Sequence, residues 1–179
     1  SLNNGLKDVR LFDASAFDNG VELHAHLSDE VVDKYINLTD GQTDATADNA
    51  DFTYSFGEGD DTFNMNLSKD NLAASGTGTR EDFSFTANTG DGDDTIQLQI
   101  GDSTGEVGDN WFTNTVQNDN LTLNAGDGND TVLTYGAGAF TIDAGAGNDV
   151  VMTDNSGVQA GGANGGGPEV YFNEGRATY

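Results

Sequence analysis

Short stretches of the chain alternate between apolar and polar residues, and this alternation predicts β-strands that bury one face. In residues 21–28, VELHAHLS, every second side chain from Val21 to Leu27 is apolar and those between them are polar. Successive side chains of a strand point to opposite faces, so one face of this segment is expected in a core. The same alternation returns along the chain, which indicates an all-β fold. Turns are predicted around residues 13–15 and at Asn19-Gly20.

Residues 28–36 form a segment in which a short helix competes with a strand. Ser28 can cap a helix, and acidic residues would lie in its first turn. In that helix, Val31, Val32 and Tyr35 would face the core. A strand through residues 34–38 is the alternative.

Four copies of one pattern dominate the chain, each with a strand, a Gly-x-Gly-x-Asp turn and a second strand. They read FTYSFGEGDDTF at 52–63, FTANTGDGDDTI at 85–96, LTLNAGDGNDTV at 121–132 and FTIDAGAGNDVV at 140–151. The glycine pairs begin at residues 57, 90, 126 and 145, so the intervals are 33, 36 and 19. Such intervals predict a stack of coils that differ in length.

The stacking of these turns predicts calcium binding. Adjacent strands lie about 4.8 Å apart, and calcium binds oxygen ligands at roughly 2.3–2.6 Å with loose geometry. One ion between two turns can therefore reach an aspartate from each, while the glycines allow carbonyls to turn toward the same point. The remaining turn acids, Asp60, Asp91, Asp93 and Asp127, either add charge or face solvent. The predicted metal ligands are Gly57, Gly59, Asp61, Gly90, Gly92, Asp94, Gly126, Gly128, Asp130, Gly145, Gly147 and Asp149.

The four copies resemble the glycine-aspartate repeats of RTX (repeats-in-toxin) proteins, through residues 52–65, 85–98 and 121–153. This resemblance implies a right-handed parallel β-roll or β-helix solenoid that folds on meeting extracellular calcium. It also implies export by type I secretion from a Gram-negative bacterium. Tight tandem repeats occur only across 126–153, and the wider spacing elsewhere is more similar to RTX-type surface-layer proteins than to secreted proteases.

The charge balance limits the partners that the chain can have. Six Lys+Arg against 31 Asp+Glu give a net charge of −25, so folding should depend on calcium or high ionic strength. A strongly negative net charge disfavours binding to nucleic acid or to anionic membranes, which are themselves negatively charged. No apolar run approaches the roughly 20 residues needed to cross a bilayer, so no membrane insertion is expected. The chain has no cysteine, which excludes disulfides and leaves metal bridges as the alternative cross-links.

No enzyme activity is expected in this segment, because no nucleophile with a base and no carboxylate pair in a pocket stands out. The abundant carboxylates are accounted for by calcium and solubility. The two histidines, His24 and His26, fall on one strand face with Glu22. A zinc site there is the alternative to a solvated face, which is favoured because nothing marks a fourth ligand.

These observations predict a β-solenoid over residues 1–165 and a glycine-rich linker with a terminal strand over 166–179. Since no methionine begins the chain, we expect it to be a segment of a longer protein. The favoured function is a calcium-dependent structural segment of a secreted, extracellular cell-surface protein, either a surface-layer subunit or an adhesin. The alternatives are the calcium-folding secretion module of an exported protease or lipase, and a halophilic or marine exoprotein. Calcium, further copies or lattice neighbours, and a cell-surface polysaccharide are the candidate partners, with residues 166–179 as the contact strand.

Overall fold

The computed structural model describes residues 5–28, 31, 35, 50–68, 71, 83–101, 121–135, 140–154 and 170–173. They confirm the expected all-β fold with parallel strands. The twelve strands of this part are β1 (Leu6–Lys7), β2 (Leu11–Asp13), β3 (Glu22–Leu27), β4 (Ala50–Ser55), β5 (Thr62–Ser68), β6 (Phe83–Asn88), β7 (Thr95–Gly101), β8 (Leu121–Asn124), β9 (Thr131–Tyr135), β10 (Phe140–Asp143), β11 (Val150–Asp154) and β12 (Val170–Asn173).

The chain alternates between two six-stranded sheets. The odd-numbered strands form one sheet in the order β1-β3-β5-β7-β9-β11, which we call the odd sheet. The even-numbered strands form the other in the order β12-β10-β8-β6-β4-β2, the even sheet. All paired strands are parallel. An even strand, the turn after it and the next odd strand make one coil, and each coil adds one strand to each sheet.

The core lies between the inner faces of the two sheets. Phe63 on β5 is in register with Ile96 on β7, and both are fully buried. Across the core, the ring of Tyr54 on β4 lies 5.2 Å from the ring of Phe63. The alternation predicted for residues 21–28 is confirmed, because Leu23, Ala25 and Leu27 are buried. The outward-facing residues of the longer strands are mostly polar, as Thr62, Asn64 and Asn66 are on β5.

The connections at the two sides of the sheets differ in regularity. Each turn from an even strand to an odd strand, from β4 onward, has the same length, whereas the return connections between these turns have 14, 19 and 4 residues. The uneven intervals between the glycine pairs therefore arise mainly in these returns, with a smaller contribution from strands of different length. The regular turns are residues 56–61, 89–94, 125–130 and 144–149, and the returns between them are 69–82, 102–120 and 136–139.

Three described residues fall in the predicted helix at 28–36, namely Ser28, Val31 and Tyr35, and the last two favour the helix over the strand. Val31 and Tyr35 are helical, Val31 is fully buried, and the Tyr35 ring meets Phe52 edge-on at 5.5 Å. Val32 lies outside the described residues. The predicted terminal strand is present as β12, which pairs with β10. In the described part of the chain, no helix is long and apolar enough to cross a membrane.

Candidate functional site

The four Gly-x-Gly-x-Asp turns stack on one side of the two sheets and bring their aspartates into one column. The residues that follow these aspartates, from Thr62 to Val150, are in register along the odd sheet. Each aspartate is at most 1% exposed, although its neighbours in the turn reach solvent. We call this set the buried column: Asp61, Asp94, Asp130 and Asp149.

Each carboxylate of the buried column accepts a hydrogen bond from the backbone of the preceding turn. The Asp61 N–H donates to Oδ1 of Asp94 at 2.7 Å, and the Asp94 N–H donates to Oδ1 of Asp130 at 2.8 Å. The Asp130 N–H donates to Oδ1 of Asp149 at 3.0 Å. These bonds tie successive coils together, and the sequence did not predict them.

The second carboxylate oxygen, Oδ2, of Asp61, Asp94 and Asp130 is buried and has no hydrogen-bond partner. Burial raises the pKa of Asp94 to about 7 and that of Asp130 to about 6. The pKa of Asp61 is also raised, again chiefly by burial. Neighbouring carboxylates raise all three pKa values further, whereas backbone N–H groups, and the Thr89 hydroxyl beside Asp94, lower them. An unpartnered anionic oxygen in such a place calls for a proton or a cation beside it.

The turn glycines form two further columns in which the backbones of successive coils touch. Gly126 has a φ of 102°, and a Cβ on it would fall on the carbonyl oxygen of Gly90. An L-residue is strained at this φ, and no side chain fits between the coils there. The same collision with the equivalent glycine of the preceding coil, at a positive φ, holds for Gly90, Gly92, Gly126, Gly128, Gly145 and Gly147.

The second glycine of a turn brings oxygen atoms of two coils close together. Beside Gly128, the space that a Cβ would occupy is lined by the carbonyl oxygen of Gly92 and, at 3.3 Å, by Oδ1 of Asp130. Carboxylate and carbonyl oxygens are the ligands that calcium prefers. In the described ranges, no three acidic or histidine side chains converge on one point. A cation held here would therefore need backbone carbonyls as well as carboxylates.

A second column runs beside the buried one on the solvent side. The Asp93 N–H donates to Oδ1 of Asp60 at 2.9 Å, and the Asn129 N–H donates to Oδ1 of Asp93 at 2.8 Å. The Asn148 N–H continues the series to Oδ1 of Asn129 at 3.1 Å. We call Asp60, Asp93, Asn129 and Asn148 the exposed column. Asp91 and Asp127 are exposed as well. The turn acids that were expected either to add charge to the sites or to face solvent therefore all face solvent, namely Asp60, Asp91, Asp93 and Asp127.

Residues 14–21 form a further turn of the stack, which the sequence did not reveal as part of the site. Val21 takes the place of the column aspartate, and its N–H donates to Oδ1 of Asp61 at 2.6 Å. Thr62 N–H bonds the Val21 carbonyl at 2.8 Å, as Thr95 N–H bonds that of Asp61. A Cβ on Gly57 would fall on the Phe17 carbonyl oxygen. In the sequence, Asn19-Gly20 just before an alternating strand indicated a turn here, but no aspartate follows this glycine as in the other turns.

Glu22 and His24 are exposed on the outer face of β3, and the His24 Nε2 atom lies 3.1 Å from Oε1 of Glu22. His26 lies on the same face and is half-buried. This arrangement fits the favoured solvated face, and no third metal ligand joins these side chains in the described part.

No family model, no curated protein and no solved structure matches this chain. The functional proposal therefore depends on the stacked turns themselves.

Proposed function

We propose that this chain is a right-handed parallel β-roll whose glycine-aspartate turns bind calcium, and that calcium drives its folding. The main support is the Oδ2 atom of Asp61, Asp94 and Asp130, which is buried and has no hydrogen-bond partner. A cation beside these atoms would offset the cost of burying their charge, and calcium accepts oxygen ligands with loose geometry. The alternation of the chain between two parallel sheets supports the roll. Crossovers between parallel strands are right-handed in nearly all proteins, which supports the handedness.

The role that we propose is structural, in a secreted cell-surface protein such as a surface-layer subunit or an adhesin. A net charge of −25 opposes compaction unless cations bind, so the chain would stay unfolded where calcium is scarce and fold where it is abundant. Extracellular modules bind calcium with dissociation constants of about 10⁻⁴–10⁻³ M, which suits a change on export. The uneven return connections support the surface-protein role over a compact secretion module.

Calcium removal is the first test of this proposal. Exhaustive chelation should abolish most of the β signal in circular dichroism, because a metal that binds only the folded state contributes its binding free energy to folding. Added calcium should restore the signal, whereas magnesium should restore it poorly because it demands a tighter octahedral shell. An unchanged β signal after chelation would show that the coils need no ion.

A matched pair of variants tests the buried column as the ligand set. Asp94→Asn keeps the Oδ1 acceptor for the Asp61 N–H and removes the charge. It should raise the calcium concentration for half-folding about tenfold, which corresponds to roughly 1.4 kcal/mol. Asp93→Asn, in the exposed column, should change it by less than about twofold. If Asp94→Asn instead folds without calcium, the buried oxygen holds a proton and the calcium proposal is wrong.

A further inference from the structure

The outer face of the even sheet carries threonine at the same position of four successive strands. Thr53 on β4 is in register with Thr86 on β6, and Thr86 is in register with Thr122 on β8. Thr141 on β10 continues the series. Each of these threonines is half-buried or exposed, and the residues on both sides of it in the chain are buried in the core. We call Thr53, Thr86, Thr122 and Thr141 the threonine column.

A second column of polar residues runs beside the threonine column, two residues further along each strand. Asn88 on β6 and Asn124 on β8 are in register, and Nδ2 of Asn124 donates to Oδ1 of Asn88 at 2.7 Å. On β10, Oδ1 of Asp143 accepts from the Gly145 N–H at 3.1 Å. These hydrogen bonds hold the side chains of the second column in place. Its members are Ser55, Asn88, Asn124 and Asp143.

The two columns form a grid of oxygen-bearing side chains. Neighbouring strands lie about 4.8 Å apart, and two residues along a strand span about 6.6 Å. Threonine is restricted in its χ1 angle because it is β-branched, so its hydroxyl and methyl groups can repeat from coil to coil. Side-chain ladders of this kind also favour a flat sheet. Water that meets this face therefore meets hydrogen-bonding groups at regular distances in two directions.

The odd sheet shows that this regularity does not follow from strand formation alone. Threonine is favoured in strands generally, and Thr95 on β7 is in register with a threonine on β5 and another on β9. Val150 takes the same position on β11. Two residues further along, the outward positions differ in size and polarity from strand to strand: Asn64, Gln97, Leu133 and Met152. Of the two sheets, only the even one therefore carries two regular columns in its described strands.

We propose that this grid binds the surface of an ice crystal. On its flat faces, ice repeats its oxygen atoms over distances of similar size, so waters bonded to the grid can take the positions of the first ice layer. An ordered water that bridges polar groups is nearly as favourable in enthalpy as a direct hydrogen bond, so the crystal can be held through these waters. The outward positions of β4, β6, β8 and β10 include neither a cation nor an aromatic ring, which disfavours a polyanion or a sugar ring as the occupant.

The proposed ice site lies apart from the proposed calcium sites. It consists of outward side chains on the even strands, whereas the buried column belongs to the turns that follow them. It needs only that the coils be folded. The contact strand expected at 166–179 lies mostly outside the described residues, and the grid uses none of it.

Thermal hysteresis, the gap between the melting and freezing temperatures of a small ice crystal, tests this proposal. The wild-type chain in calcium should produce a gap that widens with protein concentration, and the crystal should grow facets. Thr122→Tyr should lose most of the gap, because the ring holds ice away from the grid. Thr95→Tyr, on the outer face of the odd sheet, is the matched control and should keep the gap. Both variants should keep the β signal in circular dichroism, since both residues point out of the core and tyrosine is favoured in strands.

Partitioning into slowly grown ice gives an independent readout. The wild type and Thr95→Tyr should concentrate in the ice, whereas Thr122→Tyr should stay in the liquid. Thr86→Tyr repeats the test on the adjacent strand, in case one substitution disturbs folding. Folded wild-type protein that shows no hysteresis and is excluded from ice would overturn the proposal. Equal losses in the even-sheet and odd-sheet variants would overturn it as well, because they would show that the grid is not the contact surface.

Discussion

The buried and exposed columns occupy adjacent residues of the same turns, yet a carboxylate has different consequences in each. Asp94 is 1% exposed, and its Oδ1 accepts from the preceding coil. Asp93 is exposed, and its Oδ1 accepts from the coil that follows. Both columns therefore supply a hydrogen-bond acceptor to a neighbouring backbone. They differ in whether water can solvate the charge.

The comparison distinguishes positions where a hydrogen-bond acceptor is sufficient from positions where a carboxylate is kept. In the exposed column, Asn129 and Asn148 replace the aspartates of the first two turns, and Asn129 still accepts through its amide oxygen. An amide thus suffices where only an acceptor is needed. The buried column keeps an aspartate in all four turns, although burial opposes its charge. We therefore infer that a carboxylate in the buried column has a role beyond accepting a hydrogen bond, and the proposed cation would provide one.

The largest expected effect is the pH dependence of stability without calcium. Burial raises the pKa of Asp94 from 3.8 to about 7, and Asp130 and Asp61 shift in the same direction. The folded state therefore holds protons that the unfolded state releases, so the free energy of unfolding should rise as the pH falls from above 7 toward 4. Because chelation should leave the chain largely unfolded above pH 7, the slope is measured as the β signal in circular dichroism that returns when the pH is lowered in a chelator.

Two comparisons make the pH experiment specific to the buried column. Asp94→Asn should flatten the slope, whereas Asp93→Asn removes the same formal charge and should change the slope far less, through the lost repulsion of Asp130 alone. With calcium present, acid should weaken the fold instead, because protons compete with the ion for carboxylates. A slope that is identical in both variants would mean that net charge alone governs the response.

A smaller loss of stability is expected when a residue of either column is replaced by alanine, which removes the acceptor of a neighbouring N–H group. Asp130→Ala leaves the Asp94 N–H buried without its partner, and should lower the free energy of unfolding in calcium by about 1–3 kcal/mol plus any loss of bound ion. Asn129→Ala exposes the Asn148 N–H to water and should cost less than about 0.5 kcal/mol. Urea unfolding of both variants would measure the difference, and equal losses would contradict a special role for burial.

The smallest effect concerns charge within the exposed column. Asn129→Asp removes the amide hydrogen bond to Asp93, at 2.9 Å, and sets two carboxylates together. It should destabilise the protein by less than about 1 kcal/mol, and salt should remove most of the electrostatic part. Asn148→Asp is the control, because its neighbour in the preceding turn is the neutral Asn129. Unfolding at low and high salt checks both, and a salt-independent loss in Asn129→Asp would exclude repulsion as its cause.

Much of the fold could be predicted because its signals are local. The alternation in residues 21–28 identified the buried face of β3, and the repeated pattern located eight strands and the column aspartates. The turn at residues 14–21 lies within the predicted solenoid, but its place beside the buried column was missed because Val21 stands where the other turns have aspartate. Its membership depends on contacts with Gly57 and Asp61 about forty residues away, and no local pattern encodes such contacts.

Local patterns are enough to place the strands, the turns and their phase, since alternation and glycine pairs act over a few residues. The environment of each carboxylate, in contrast, is set by contacts between coils. Whether Asp93 or Asp94 is buried, and which of its oxygens finds a donor, depends on a turn 33 or 36 residues away. The order of the strands in the two sheets has the same origin, because each strand pairs with strands of other coils that lie far away in the sequence.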